Sequence, residues 1–151
     1  MANYTKQMQM IVSEYRLAGK PWPASSKRIA EWALDSGRWK LPPEAAVQRC
    51  AEDISRAMRE EYTVDRKGRR VRVKHPVTLS QDGEQLHLWD DIRTAPRAHM
   101  QMSFQQRRQQ IVGDCRQLKV DVDSYNDSHS DDEPIQMIFD FRRDLAELEA
   151  A

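Results

Sequence analysis

The sequence predicts an α+β fold, and three observations lead to that class. Four stretches repeat apolar residues at helical spacing. Two shorter stretches alternate apolar with polar residues around a glycine-bearing turn. The connections between them are short and rich in proline, glycine and serine. At 151 residues the chain has room for one domain, an appendage and a modest core.

The first helix is expected over Tyr4 to Leu17, where Met8, Ile11, Val12 and Tyr15 form a stripe and Gly19 sits at the C-cap position. A Lys-Pro-Trp-Pro turn leads to Ser25 or Ser26, either of which suits the N-cap of a second helix ending at Gly37. Ile29, Ala30, Ala33 and Leu34 line its apolar face, with Trp32 at the edge. Trp39 and Leu41 in the following connector are expected to close the core. Trp22, Trp32 and Trp39 form an aromatic cluster in this reading, the alternative being a base-stacking surface. Pro43 suits the first turn of a third helix, because its missing N–H has no partner there in any case. Val47, Cys50, Ala51, Ile54, Ala57 and Met58 make its buried face.

The outward face of that helix carries Gln48, Arg49, Ser55, Arg56 and Arg59. Arginine can bond guanine edges with two donors, glutamine can bond adenine, and serine can bond phosphate or base. The plainer alternative is a solvated face laced by ion pairs four residues apart, Arg49 with Asp53 among them. Glu61–Val64 and Arg69–Lys74 then flank the turn Asp65-Arg66-Lys67-Gly68, which predicts a hairpin. Six of the nine residues from Arg66 to Lys74 are Arg or Lys: Arg66, Lys67, Arg69, Arg70, Arg72 and Lys74. Val71 and Val73 alternate with the last three of these, so one strand face is apolar and the other cationic. Such a hairpin can deliver phosphate contacts; the alternative is an edge kept soluble by charge.

Three helices followed by a basic hairpin, over residues 4–74, resemble winged-helix DNA-binding domains. The resemblance implies major-groove contacts from the third helix through Arg49, Ser55, Arg56 and Arg59. It implies backbone contacts from the wing through Arg66, Lys67, Arg69, Arg70 and Arg72. The third helix departs from that pattern in being long and in mixing Glu52, Asp53, Glu60 and Glu61 with its arginines.

After Lys74, Val77 and Leu79 are expected to pair with Leu86 and Leu88 across an Asp82-Gly83 turn. Gln85-Leu86-His87-Leu88-Trp89 is similar to short motifs that dock on bacterial sliding clamps. Pro96 opens a long helix to about Tyr125, whose apolar seam runs through Phe104, Ile111, Cys115, Leu118, Val122 and Tyr125, with Arg108 in one seam place. That seam needs a partner, either the chain's own head or a second copy in a homodimer. Residues 126–133 read as a flexible polar linker, 134–141 as a short apolar strand and 142–150 as a final helical turn or two. The 135–141 segment is expected to fold back on the chain or to dock on a protein partner.

The expected organisation is a head at 1–74, a connector at 75–94, the long helix at 95–126 and an acidic terminal segment at 127–151. Net charge is zero, yet the three parts differ: +7 over residues 1–74, +1 over 75–120 and −8 over 121–151. The basic part can attract a polyanion by its field alone. No apolar run approaches the roughly 18 residues of a membrane helix, and the N-terminal ten residues lack a signal-peptide core, so a cytoplasmic location is expected. The two cysteines, Cys50 and Cys115, read as buried thiols, and the four histidines lack ligand spacing, so no metal site and no cofactor are expected. No phosphate-binding glycine loop or nucleophile motif suggests an enzyme. The functional expectation is a DNA-binding protein, sequence-specific or architectural, of the kind that regulates bacterial transcription. The competing expectation is a non-enzymatic adaptor in a replication, mobile-element or defence complex.

Overall fold

A computed structural model describes residues 3–151; Met1 and Ala2, which open both the N-terminal stretch and the expected 1–74 head, lie outside the described residues. The elements are α1 (Tyr4–Leu17), α2 (Ser26–Asp35), α3 (Ala45–Arg59), β1 (Tyr62–Val64), β2 (Arg70–Arg72), β3 (Lys74–Gln81), β4 (Glu84–Asp91), α4 (Arg97–Ser128) and α5 (Arg142–Ala150). The class is α+β, with two separate two-stranded antiparallel sheets. The order of elements along the chain, three helices and then a hairpin, is broadly compatible with that of a winged helix. Contacts divide the chain into two compact units, with the division between Ile54 and Ser55, inside α3.

In the first unit, side-chain oxygens start both leading helices. Asn3 Oδ1 accepts from the Lys6 amide at 2.8 Å, and Ser25 Oγ accepts from the Arg28 amide at 3.1 Å. The core holds Ile11, Tyr15 and Ala33. Tyr15 is its centre, 1% exposed, with its hydroxyl donating to the Pro21 carbonyl at 2.9 Å. The Trp32 ring meets it edge-on at 5.5 Å and Trp22 tilts against it at 6.5 Å. Arg38 and Arg16 cover the outer faces of those two indoles. The aromatic cluster therefore forms around a tyrosine, while Trp39 donates to the Tyr4 hydroxyl at 2.9 Å.

Three expectations are corrected here. Leu41 is exposed and closes nothing. Helix α3 begins at Ala45, with Pro43 in the turn ahead of it. The α3 stripe is not a buried face: the helix contributes no buried residue, Val47 is 80% exposed and the Cys50 thiol is on the surface. Tyr15 and its two tryptophan neighbours satisfy the small core, and none of them lies in the connector or in α3.

The second unit opens with the basic hairpin. Tyr62 pairs with Arg72 and Val64 with Arg70, so both arginines share a face with Tyr62, and the Arg70 guanidinium lies 3.8 Å from the Tyr62 ring centre. Asp65 builds the turn by accepting from the Lys67 and Arg69 amides at 2.9 Å each, while Gly68 takes φ +78°. The second hairpin has the anticipated register, Val77 opposite Leu88 and Leu79 opposite Leu86. Asp82 and Gly83 both take positive φ at its tip. Val73 joins the two hairpins: its amide donates to the Glu61 carbonyl at 3.0 Å and its carbonyl accepts from Ile92 at 2.8 Å.

Helix α4 packs on β3 through polar side chains. His99 Nε2 donates to the His75 carbonyl (2.8 Å) and Ser103 Oγ to the Pro76 carbonyl (2.7 Å). The Gln106 amide both donates to the Thr78 carbonyl (2.9 Å) and accepts from the Thr78 amide (2.8 Å). Spaced four and three residues apart, these side chains satisfy a strand edge that would otherwise lack partners. His75 and Ser103 are buried with Val73 and Val77, and the His75 ring meets Phe104 edge-on at 5.4 Å.

Two further expectations change at the C-terminal end. Residues 126–133 are not a free linker, because α4 continues to Ser128 and His129 donates back to the Tyr125 carbonyl at 2.8 Å. Residues 134–141 are not a strand. They have no partner strand, and the Asn126 amide clamps both backbone groups of Ile135 at 2.8 and 2.9 Å. Residues 134–139 lie against Lys119, Val122 and Asp123 of α4, so the chain's own segment occupies part of the helix surface. Among the described residues, no helix is long and apolar enough to cross a membrane.

Candidate nucleic-acid interface

The cations read from the sequence fall into two sets in the structure. In α3, Arg49 and the neighbouring Gln48 are matched within a turn of their own helix. Arg49 Nε lies 3.4 Å from Asp53 Oδ1, and the Gln48 amide donates to Glu52 at 3.4 Å. In the first hairpin, Arg69 bonds Asp65 at 2.7 Å and Lys74 bonds Glu61 at 3.1 Å, while Arg70 lies on Tyr62. A matched surface cation contributes less to the outward field, and its pair adds little stability.

The second set converges. Arg59 at the end of α3, Arg72 of β2 and Lys74 of β3, the last also bonded to Glu61, line a cleft of about 360 Å³. Pro76, Thr78, His87 and Trp89 provide the hairpin side, while Gln106, Arg107 and Gln110 of α4 close it. The strand period explains the hairpin wall: Pro76 pairs with Trp89 and Thr78 with His87, so all four project from one face. Thr78 Oγ1 and His87 Nδ1 are hydrogen-bonded at 3.0 Å, which fixes the imidazole. The Arg59 guanidinium lies 5.5 Å from the Trp89 ring centre. Asp114 is the one carboxylate in the lining.

Arg72 and Arg107 are the pair that matters chemically. Burial and the neighbouring Arg72 charge hold Arg107 below the ordinary arginine range. A like-charged pair brought together with one carboxylate among four cations in the lining favours an anion, and guanidinium donors suit phosphate geometry. The cleft therefore offers cations to a phosphate and aromatic rings to a flat ring within one space.

Of the residues expected to form an interface, the cleft brings together Arg59, Arg72 and Lys74. Gln48, Arg49, Ser55, Arg56, Arg66, Lys67, Arg69 and Arg70 do not line it. The sequence reading missed His87, Trp89, Gln106, Arg107 and Gln110 as site residues. The signal that could have found the α4 contribution is the polar line His99, Ser103, Gln106 and Gln110, which repeats at helical spacing beside an apolar seam. The motif-like pentapeptide Gln85–Trp89 is paired along its whole length with β3. Among the described residues, no group of His, Cys, Asp or Glu side chains could hold a metal ion. No family model, no curated protein and no solved structure matches this chain.

Proposed function

We propose that this protein binds nucleic acid without catalysing a reaction, and that its contact surface is the cationic cleft together with the neighbouring wing. The carrying observation is the approach of Arg72 and Arg107, with Arg59 and Lys74 beside them and one carboxylate in the lining. Arg66 and Lys67 at the wing tip extend the cationic surface, and in the winged-helix reading they lie on duplex backbone. The winged-helix resemblance also implies duplex contacts through Gln48, Arg49, Ser55 and Arg56. Gln48 and Arg49 are matched on their own helix and are left outside the proposed surface. Transcriptional regulation is the proposed cellular role. The test is binding of purified protein to labelled duplexes over a salt series. Affinity that falls steeply with salt supports the reading, and absence of binding at low salt overturns it. A regulator further requires discrimination among duplexes of about 10³-fold or more.

The homodimer expected through α4 belongs to the same proposal. Phe104, Ile111, Leu118 and Tyr125, seven residues apart, remain about half exposed. Ile111→Asp should then leave a monomer in sedimentation equilibrium where the unaltered chain is dimeric. A chain monomeric at all concentrations would remove this part.

One observation favours the adaptor reading: α3 exposes Val47 and Ile54 on a single face. An adaptor would use that face for a protein and would not discriminate among duplexes.

A further inference from the structure

We infer that the cleft between β3–β4 and α4 is a single-strand site, taking one unpaired nucleotide with its phosphate against Arg72 and Arg107 and its base against Trp89. This inference rests on the nucleic-acid reading above and names the ligand form that the cleft selects.

Three features separate an unpaired strand from a duplex. The first is shape. At about 360 Å³ the cleft sits at the low end of the roughly 300–1,000 Å³ of small-ligand sites. A duplex holds its bases stacked between two backbones, so it could offer such a cleft only its phosphates. A nucleotide in an unpaired strand can turn its base inward.

The second is wall chemistry. Four cations, Arg59, Arg72, Lys74 and Arg107, line the cleft together with an indole and an imidazole, and Arg59 lies near the indole. Proteins that hold single strands combine a backbone-tracking cationic groove with aromatic rings that stack bases, and a base stacked on such a ring is worth about 1–3 kcal/mol. A surface that met only duplex phosphates would gain nothing from Trp89 and His87 facing the same cleft.

The third is anchoring. Thr78 fixes the His87 ring, and the same residue's backbone is held at both groups by Gln106. The hairpin wall is therefore preorganised against α4, which lowers the ordering cost of binding. Gln110, one turn beyond Gln106, adds an amide able to donate to and accept from a base edge.

The experiment titrates the full chain with a single-stranded oligothymidylate of about 12 nucleotides, a matched oligouridylate and a duplex of the same length. Anisotropy reports binding, and tryptophan fluorescence reports stacking, with Trp89→Phe identifying the responding indole. The expected result is tighter binding of at least one single strand than of duplex, by about tenfold, with quenching that Trp89→Phe abolishes. Trp89→Ala should weaken that strand by about fivefold or more. Because Trp89→Ala could loosen the hairpin, Arg107→Ala on the helix surface provides an independent variant and should weaken the same strand similarly. The two sugar forms tell whether a 2′-hydroxyl contributes. Duplex binding as tight as single-strand binding, without Trp89-dependent quenching, would overturn the single-strand site and leave the nucleic-acid reading standing. Binding of none of the three would remove both.

Discussion

Helix α3 and the cleft are both rich in cations, and they differ in what surrounds those cations. On α3 the acids come at helical spacing, so Arg49 meets Asp53 within one turn and Gln48 meets Glu52. In the cleft the cations arrive from α3, β2, β3 and α4; Lys74 is matched by Glu61, while Arg59, Arg72 and Arg107 share the space with a single aspartate, Asp114. Local sequence sets the first arrangement; tertiary structure sets the second. The contrast teaches that a run of arginines is a binding surface only where the fold separates it from its acids.

The largest effect should come from the cleft itself. Arg72→Ala with Arg107→Ala is expected to weaken nucleic-acid binding by about 100-fold and to lower the salt slope by about two. Arg49→Ala in the same assay should stay within about twofold of the unaltered chain, because its charge is already matched. Equal losses in the two variants would erase the distinction between the regions.

The second effect concerns the scaffold under the cleft. Gln106→Leu removes both side-chain bonds to Thr78 and leaves that strand edge without its partner. A loss of about 1–3 kcal/mol in urea unfolding is expected, with faster amide exchange at Thr78. If stability and exchange are unchanged, α4 does not brace the hairpin wall. In the other unit, Tyr15→Phe removes the hydroxyl that donates to Pro21. It should cost about 1 kcal/mol and leave binding untouched.

The smallest effect is on pH dependence. Hydrogen bonds from Arg93 hold the Asp91 carboxyl below its ordinary value of 3.8, and the Arg69 amide does the same for Asp65. A lowered folded-state pKa stabilises the fold above the unfolded value, and that stabilisation disappears as pH falls through the folded value. These two groups therefore leave the urea midpoint flat between about pH 5 and 8 and lower it only below about pH 4. A midpoint that falls between pH 7 and 5 would point to other titrating groups.

Much of the backbone was readable from the chain. The bounds of α1, a serine cap at 25 or 26 and the pairing of Val77 and Leu79 with Leu86 and Leu88 follow from local periodicity and turn residues, which act over a few positions; the structure selects Ser25. The cleft was not readable in that way, because Arg72 and Arg107 are far apart in sequence and meet only when α4 crosses β3. Gln106 carried no signal of its own in the sequence, since nothing local tells that a strand edge will need its amide. The α3 stripe shows the limit of amphipathicity: Val47 and Ile54 mark a face able to be buried, and the Tyr15 core closes without it. For residues 134–141 the alternation suited a strand, but a strand needs a neighbour, and the Asn126 clamp seats the segment on a helix instead.

The most direct measurement is amide and indole chemical-shift mapping of the labelled protein during titration with nucleic acid. The account predicts that shifts concentrate at Arg72, Thr78, His87, Gln110 and the Trp89 indole, with little change at Gln48, Arg49 and Glu52. Shifts confined to the outward face of α3, with the Trp89 indole unmoved, would contradict it.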